Sequence, residues 1–244
     1  MNPGVTVVAD ADEYWERYYS GQFRFGLGTE NILAVLGLIP PVDLWTDLGC
    51  GSESMLWAIA LRARRLIAVD IDQRRLKILR QFARSGQPRE VHATALQLCD
   101  RTGPYDFRMR CRSLAALVRA DCLAEDLPAS SGLISRSVAL VTQFGLLGLC
   151  RDDSHFTTCF RTAHRLLAPG GWAVGANWLA HDASGRVELT EQLYRETARQ
   201  TGLRLLLLKR AEIADPDFAA VWIYLGRMAS CPPAAPYSLP HQAN

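Results

Sequence analysis

The stretch that decides the fold is Leu44-Trp45-Thr46-Asp47-Leu48-Gly49-Cys50-Gly51-Ser52. An apolar strand closes on an acid, turns through Gly-x-Gly and passes into a helical run at 53–63. Glycines let the backbone turn without a Cβ clash and let a ligand lie against it. Working outward, RLIAVD at 65–70 reads as the next strand and ends in Asp70, 23 residues beyond Asp47. An acid at that place accepts hydrogen bonds from ribose hydroxyls. Together these residues describe a nucleoside-binding crevice at the carboxyl ends of adjacent strands.

The residue types narrow the nucleoside. A dinucleotide fingerprint wants Gly or Ala at the third glycine position, where this chain has Ser54. An acid just before the glycine turn is awkward beside a pyrophosphate. It suits a ligand carrying an ammonium and a sulfonium, and S-adenosyl-L-methionine has both. Asp47 therefore favours that ligand over a nicotinamide cofactor.

The rest of the chain alternates strands with helical patterns. Helices are expected at 11–20, 29–38, 72–84, 107–116, 153–167 and 188–202. Strands are expected at 43–48, 65–70, 117–121, 137–144, 172–178, 203–209 and 219–226. Residues 85–105 are weakly patterned, and Ala168-Pro169-Gly170-Gly171 reads as a turn. Such alternation implies βαβ crossovers and a mainly parallel sheet. The short gap at 210–218 suits an antiparallel return at the sheet edge. The expected organisation is an N-terminal helical lid (1–42), a Rossmann-like domain (43–230) and a Pro-rich tail (231–244).

Composition excludes several classes. The hydrophobic fraction is 49%, the charged fraction 21% and the net charge +2. That charge is too small to argue for nucleic acid or an anionic membrane as partner. Arg62, Arg64, Arg65, Arg74, Arg75, Lys77 and Arg80 read as a solvated face. No secretory leader and no run of the ~18 apolar residues needed to span a bilayer is visible. The seven cysteines (50, 99, 111, 122, 150, 159, 231) contain no CxxC pair. They read as reduced, mostly buried thiols of a cytoplasmic protein, with no metal site expected.

The motifs resemble those of class I S-adenosylmethionine-dependent methyltransferases. DLGCG at 47–51 looks like motif I and AVD at 68–70 like motif II. RADCLAEDLP at 119–128 resembles the segment whose acid reads the adenine amine, and RLLAPGG at 165–171 the turn after motif IV. The resemblance implies an α/β Rossmann-like fold with a seven-stranded, mainly parallel sheet. EYWERYY at 13–19, with a long insertion at 85–116, further resembles the nicotinamide, phenylethanolamine and indolethylamine N-methyltransferases. That likeness implies that Tyr14 and Tyr19 pack around the cofactor and that Asn177 sits at the substrate end. The chain departs from that family at Glu53, at Leu147 (the place of a substrate-binding acid) and at Asn177. Those departures favour a neutral or weakly basic nitrogen, or an oxygen, over a cationic amine.

The expected cofactor contacts are Tyr14, Tyr19, Asp47, Gly49, Cys50, Gly51, Asp70, Ile71, Arg75, Asp121, Cys122 and Gln143. The residues expected near the reacting atoms are Tyr19, Asn177 and His181. The expected reaction is in-line methyl displacement from S-adenosyl-L-methionine to the nitrogen of a small-molecule amine, by a monomer or homodimer. Because the donor is already activated, the protein mainly aligns the reactants, and a general base is optional. An O-methyltransferase, a noncatalytic S-adenosylmethionine-binding protein and a nicotinamide-dependent reductase are the competing readings.

Overall fold

A computed structural model describes residues 22–101, 103–182 and 185–230. The expected helix at 11–20, with Tyr14, Tyr18 and Tyr19, and the tail at 231–244 lie outside the described residues. In chain order the elements are α1 (Thr29–Gly37), β1 (Val42–Leu48), α2 (Ser54–Ala58), β2 (Ala63–Asp70), α3 (Gln73–Ser85), α4 (Glu90–Leu98), α5 (Pro104–Arg112), β3 (Leu114–Arg119), α6 (Leu127–Ser131), β4 (Val138–Phe144), α7 (Asp153–His164), β5 (Leu167–Ala180), α8 (Glu191–Thr201), β6 (Leu203–Glu212) and β7 (Phe218–Met228).

One seven-stranded sheet runs in the order β3-β2-β1-β4-β5-β7-β6. The pairings β3–β2, β2–β1, β1–β4 and β4–β5 are parallel, while β7 is antiparallel to both β5 and β6. The chain walks from β1 to β3 in one direction and from β4 onward in the other. A crevice therefore opens between the carboxyl ends of β1 and β4, the usual ligand site of such sheets.

Strand alternation splits the core in two. Trp45, Leu66, Ala68, Leu140, Val174 and Ile223 join helices α1 to α5 on one face. Leu48, Val69, Val141, Ala173, Trp222 and Tyr224 join α6, α7 and α8 on the other. Side-chain caps start the long helices: Asp72 accepts from Arg74 N, Asp152 from His155 N and Thr190 from Leu193 N. Gly86 and Gly202, both at positive φ, end α3 and α8.

Several boundaries differ from expectation, each for a local reason. The helix expected over 53–63 is helical only at Ser54–Ala58, then tightens into i→i−3 bonds through Leu61. The chain must reverse within a few residues to begin β2. An unanticipated helix, α4, fills the weakly patterned segment. It buries only Val91, His92, Ala95 and Leu96, too short a stripe to stand out. Strand β3 begins three residues earlier than expected and stops at Arg119, so Asp121 and Cys122 belong to the loop beyond it. Ala168-Pro169-Gly170-Gly171 is a bulge inside β5, between the pairs Val138–Leu167 and Leu140–Trp172, with Gly170 at φ 75°. No helix of the described residues is long and apolar enough to cross a membrane.

Candidate functional site

The glycine turn is built from both ends. Cys50 N donates to Val69 O at 3.0 Å, which holds the turn against the end of β2. Gly49 and Gly51 both have positive φ, 63° and 56°. At Gly49 a Cβ would come within 2.9 Å of Leu146 Cδ1, so a larger residue would add to the positive-φ strain and force Leu146 to shift. At Gly51 a Cβ would meet nothing within 4 Å. The second glycine faces open space, as a backbone cradle for a ligand must.

Asp70 closes the cradle. Its Oδ2 accepts from Gly51 N and its Oδ1 from Asp72 N, both at 2.8 Å. A carboxylate with one bond to each oxygen retains lone pairs for further donors. The next residue, Ile71, leaves an apolar side chain 58% exposed at the strand end. Beyond the end of the neighbouring strand β3, exposed Asp121 accepts from Leu123 N at 2.9 Å. Buried Cys122 Sγ accepts from Gly49 N at 3.3 Å. Arg75 lies against Asp72, Nε to Oδ2 3.8 Å. The structure thus brings Asp47, Gly49, Cys50, Gly51, Asp70, Ile71, Asp121 and Cys122 to one end of the sheet.

Asp47 is only 1% exposed. Its Oδ2 accepts from Ser54 Oγ at 2.7 Å and its Oδ1 from Thr142 Oγ1 at 2.6 Å. Thr142 in turn accepts from Trp45 Nε1 at 2.7 Å. Burial pushes the Asp47 carboxyl up to about 7, against the two hydroxyl donors that lower it, with Asp70 adding a smaller upward push. A cation placed beside it would favour the ionised form. Sequence reasoning weighed Ser54 only as a stand-in for a third glycine and passed over Thr142. Thr142 reaches Asp47 through the β1–β4 register, in which the two residues pair directly. The thiols of Cys50 and Cys122 are raised, chiefly by burial, the latter to about 12, so both are neutral packing groups.

Glu53, after the glycine turn, is buried. Its Oε1 accepts from Ser52 Oγ at 3.2 Å, and its Oε2 lies 3.8 Å from Nε2 of buried His92. That separation is beyond hydrogen-bond reach. Burial between Phe82 and Phe107, with Arg89 nearby, drives the His92 imidazole down to about 3, and we take it as neutral.

Three expected site residues are placed elsewhere. Gln143 is fully buried on the α7–α8 face, where its Oε1 accepts from Leu147 N and its Nε2 donates to Tyr224 OH. Asn177 lies on the same face, with its Oδ1 accepting from Gly148 N at 3.0 Å and its Nδ2 donating to Tyr194 OH at 2.7 Å. These amides are engaged by the turn after β4 and by Tyr194 and Tyr224. His181 stands past the end of β5 with Nε2 3.1 Å from Asp215 O, a contact within the β6–β7 side of the sheet. The alternation of β4 and β5 decides this, since the next residues, Phe144 and Trp178, take the other face. Phe144 packs on Trp57, and Trp178 donates to Leu27 O at 2.9 Å.

No family model matches the chain, and no curated protein matches it. Solved structures do. The methyltransferase complexed with the Trm112 activator of Haloferax volcanii is 15% identical, over 90% of this chain and 93% of that one, with a TM-score of 0.58. The N-methyltransferase NodS of Bradyrhizobium japonicum, in complex with S-adenosyl-L-homocysteine, is 15% identical over 90% and 99%, with a TM-score of 0.56. Geranyl diphosphate methyltransferase, in complex with S-adenosylmethionine, is 12% identical over 84% and 85%, with a TM-score of 0.55. With the sheet order and the glycine turn above, these likenesses give the chain the Rossmann-like fold of the class I methyltransferases.

Proposed function

We propose that this chain binds S-adenosyl-L-methionine at the Gly49–Gly51 turn and transfers its methyl group to the nitrogen of a small-molecule amine or N-heterocycle. The observation that carries the reading is the clamp of Asp70 on Gly51 N and Asp72 N beside a glycine whose Cβ position is open. When bound, S-adenosylmethionine supplies a methyl group already activated by its sulfonium centre.

The residues fit such a ligand. Gly51 lets backbone approach it, and the remaining lone pairs of Asp70 accept from ribose hydroxyls. Ile71 offers an apolar face to the base, and Asp121 an acceptor to its exocyclic amine. Asp47 supplies negative charge to a cationic ligand without standing in contact with solvent. Tyr14 and Tyr19 complete the reading as an aromatic lid, where cation–π contact is worth ~0.5–2 kcal/mol each. No side chain of β4 or β5 is assigned a proton-transfer role. An amine acceptor enters unprotonated after losing its proton to water.

Nitrogen as acceptor is supported by the EYWERYY resemblance and by the N-methyltransferase NodS among the similar structures. Leu147, buried where that family has an acid, favours an uncharged acceptor, and on this point an oxygen nucleophile is the second reading. The engagement of Gln143 and Asn177 in the fold favours a third, a binder without turnover. One assay separates them. The full chain is incubated with S-adenosylmethionine and a panel of amines, N-heterocycles and phenols, and products are resolved by mass spectrometry. N-methylated product is expected. Methylation of phenols alone overturns the nitrogen assignment, and no product despite retained donor binding overturns the enzyme reading.

A further inference from the structure

Behind the crevice, a set of soft ligands converges that the spacing of the sequence did not disclose. The turn after β4 ends at Cys150, and α7 starts just beyond it on the Asp152 cap. One ring nitrogen of His155 and the sulfurs of Cys150 and Cys159 all lie within 4.8 Å of one another. Both cysteines are fully buried, and His155 is half-buried, leaving the cluster open on one side. The pattern Cys-x4-His-x3-Cys is no metal-binding repeat in sequence. It becomes a cluster because Cys150 precedes the helix while His155 and Cys159, four apart, share a face of it.

We propose that Cys150, His155 and Cys159 form a binding site for a zinc-class metal ion. Two thiolates and an imidazole are the donor set that Zn2+ prefers, with the fourth position left to water. Tetrahedral bonds of about 2.0–2.3 Å place ligand atoms roughly 3.5–3.8 Å apart. Ligand atoms within 4.8 Å of one another therefore need to close by no more than about 1 Å, a rotamer-scale adjustment. His155 Nδ1 accepts from Arg151 N at 3.2 Å, and binding the ion exchanges that bond for a metal–nitrogen bond, either at Nδ1 itself or at Nε2 after the proton moves to Nδ1. Cys159 Sγ donates to Leu123 O at 3.2 Å. Binding the dication releases the two thiol protons to solvent, and the imidazole coordinates neutral.

The position gives the site a consequence. Leu123 belongs to the loop that carries Asp121 and Cys122, and Cys150 closes the turn that Asn177 fastens at Gly148. An ion at Cys150, His155 and Cys159 would tie α7 to the turn after β4, and it would release the Leu123 carbonyl at the rim of the crevice, because the Cys159 thiolate has no proton left to donate. A disulfide between the two thiols is the competing use of the pair, and in the structure both cysteines are free.

The test is direct titration of the reduced full chain with Cd2+, followed by its thiolate charge-transfer absorption, with Zn2+ as competitor. The wild type is expected to bind one equivalent, to release it to Zn2+, and to melt higher with Zn2+ present. Cys159→Ser and Cys150→Ser should lose the band, and His155→Ala should weaken binding about tenfold or more. Cys99→Ser, remote from the cluster, should behave as wild type. A band that survives both cysteine substitutions, full affinity in His155→Ala, or a Cys150–Cys159 disulfide in the protein as isolated overturns the proposal. Should the cysteine variants fail to fold, X-ray absorption of Zn2+-loaded wild type decides. Two sulfurs and one imidazole nitrogen support the site, and an all-oxygen shell overturns it.

Discussion

The two halves of the sheet treat the polar residues at their strand ends differently. At the ends of β1 and β2, Asp47 and Asp70 are held by hydroxyls and backbone amides, but the glycine beside them faces open space. At the ends of β4 and β5, Gln143 and Asn177 have both amide groups engaged by Leu147, Tyr224, Gly148 and Tyr194, deep in the opposite layer. Both halves look equally polar when read along the chain. The difference lies in which face of the sheet a side chain takes. A polar residue at a strand end serves a ligand only if its face of the strand is the one the ligand approaches. Otherwise it satisfies the backbone of the loop that follows, as buried polar groups must.

The sharpest way to break this contrast is to fill a glycine in each half. Gly51→Val places a branched side chain in the open space proposed for the ligand and adds αL strain of about 1–2 kcal/mol. Affinity for S-adenosylhomocysteine should fall about 100-fold or more. Gly202→Ala, also at positive φ with open space around it, should carry the strain alone. Melting curves with and without ligand separate the two, and an equal loss of ligand-induced stabilisation in both variants would contradict the account.

The next effect is on stability. Asn177→Ala leaves Gly148 N and Tyr194 OH short of a partner inside the core. Denaturant unfolding should show a loss of about 1–3 kcal/mol, with ligand affinity changed by less than about twofold. A large affinity loss at unchanged stability would return Asn177 to the site. Thr142→Val should cost a similar or smaller amount, about 1–2 kcal/mol. It removes one donor from Asp47 and orphans the buried Trp45 Nε1.

Opposite pH slopes set two buried groups of the two layers apart. Asp47 is raised in the fold from 3.8 to about 7. Its contribution is fully present below pH 3.8 and is lost as pH rises towards 7, where burial of the ionised carboxylate is complete. His164, buried between Phe160 O and Tyr224 OH, is lowered from 6.5 to about 4, chiefly by burial. Its contribution is present above pH 6.5 and is lost as pH falls through 4. Unfolding free energies between pH 4 and 8 should therefore drop with rising pH for wild type relative to Asp47→Asn. Relative to His164→Phe they should climb instead. Parallel slopes would sink the assignment of these groups. Ligand affinity should also strengthen as pH rises through 7, because a cationic ligand favours ionised Asp47.

Much of the first half was legible because its signals are local. Asp47, Gly49, Gly51 and Asp70 stand at strand ends that hydropathy alone defines, and positive-φ turns demand glycine. Less of the second half could be read. Placing Gln143 and Asn177 needs the parity of each strand relative to the core, and a residue of slip reverses it. The bulge at Ala168–Gly171 reads as a turn from composition, since Pro-Gly-Gly serves both. Helix α4 buries too few positions to show a period. Cys150, His155 and Cys159 meet only through the start of α7, a convergence that no spacing rule encodes.

The most direct test of the central claim is calorimetric titration of S-adenosylhomocysteine into wild type, Asp70→Ala and Asn177→Ala under one buffer. The account predicts binding by wild type, binding by Asn177→Ala within about twofold, and a loss of about tenfold to 100-fold in Asp70→Ala, the scale of one or two hydrogen bonds to a charged group. No heat in wild type, or undiminished affinity in Asp70→Ala, would contradict it.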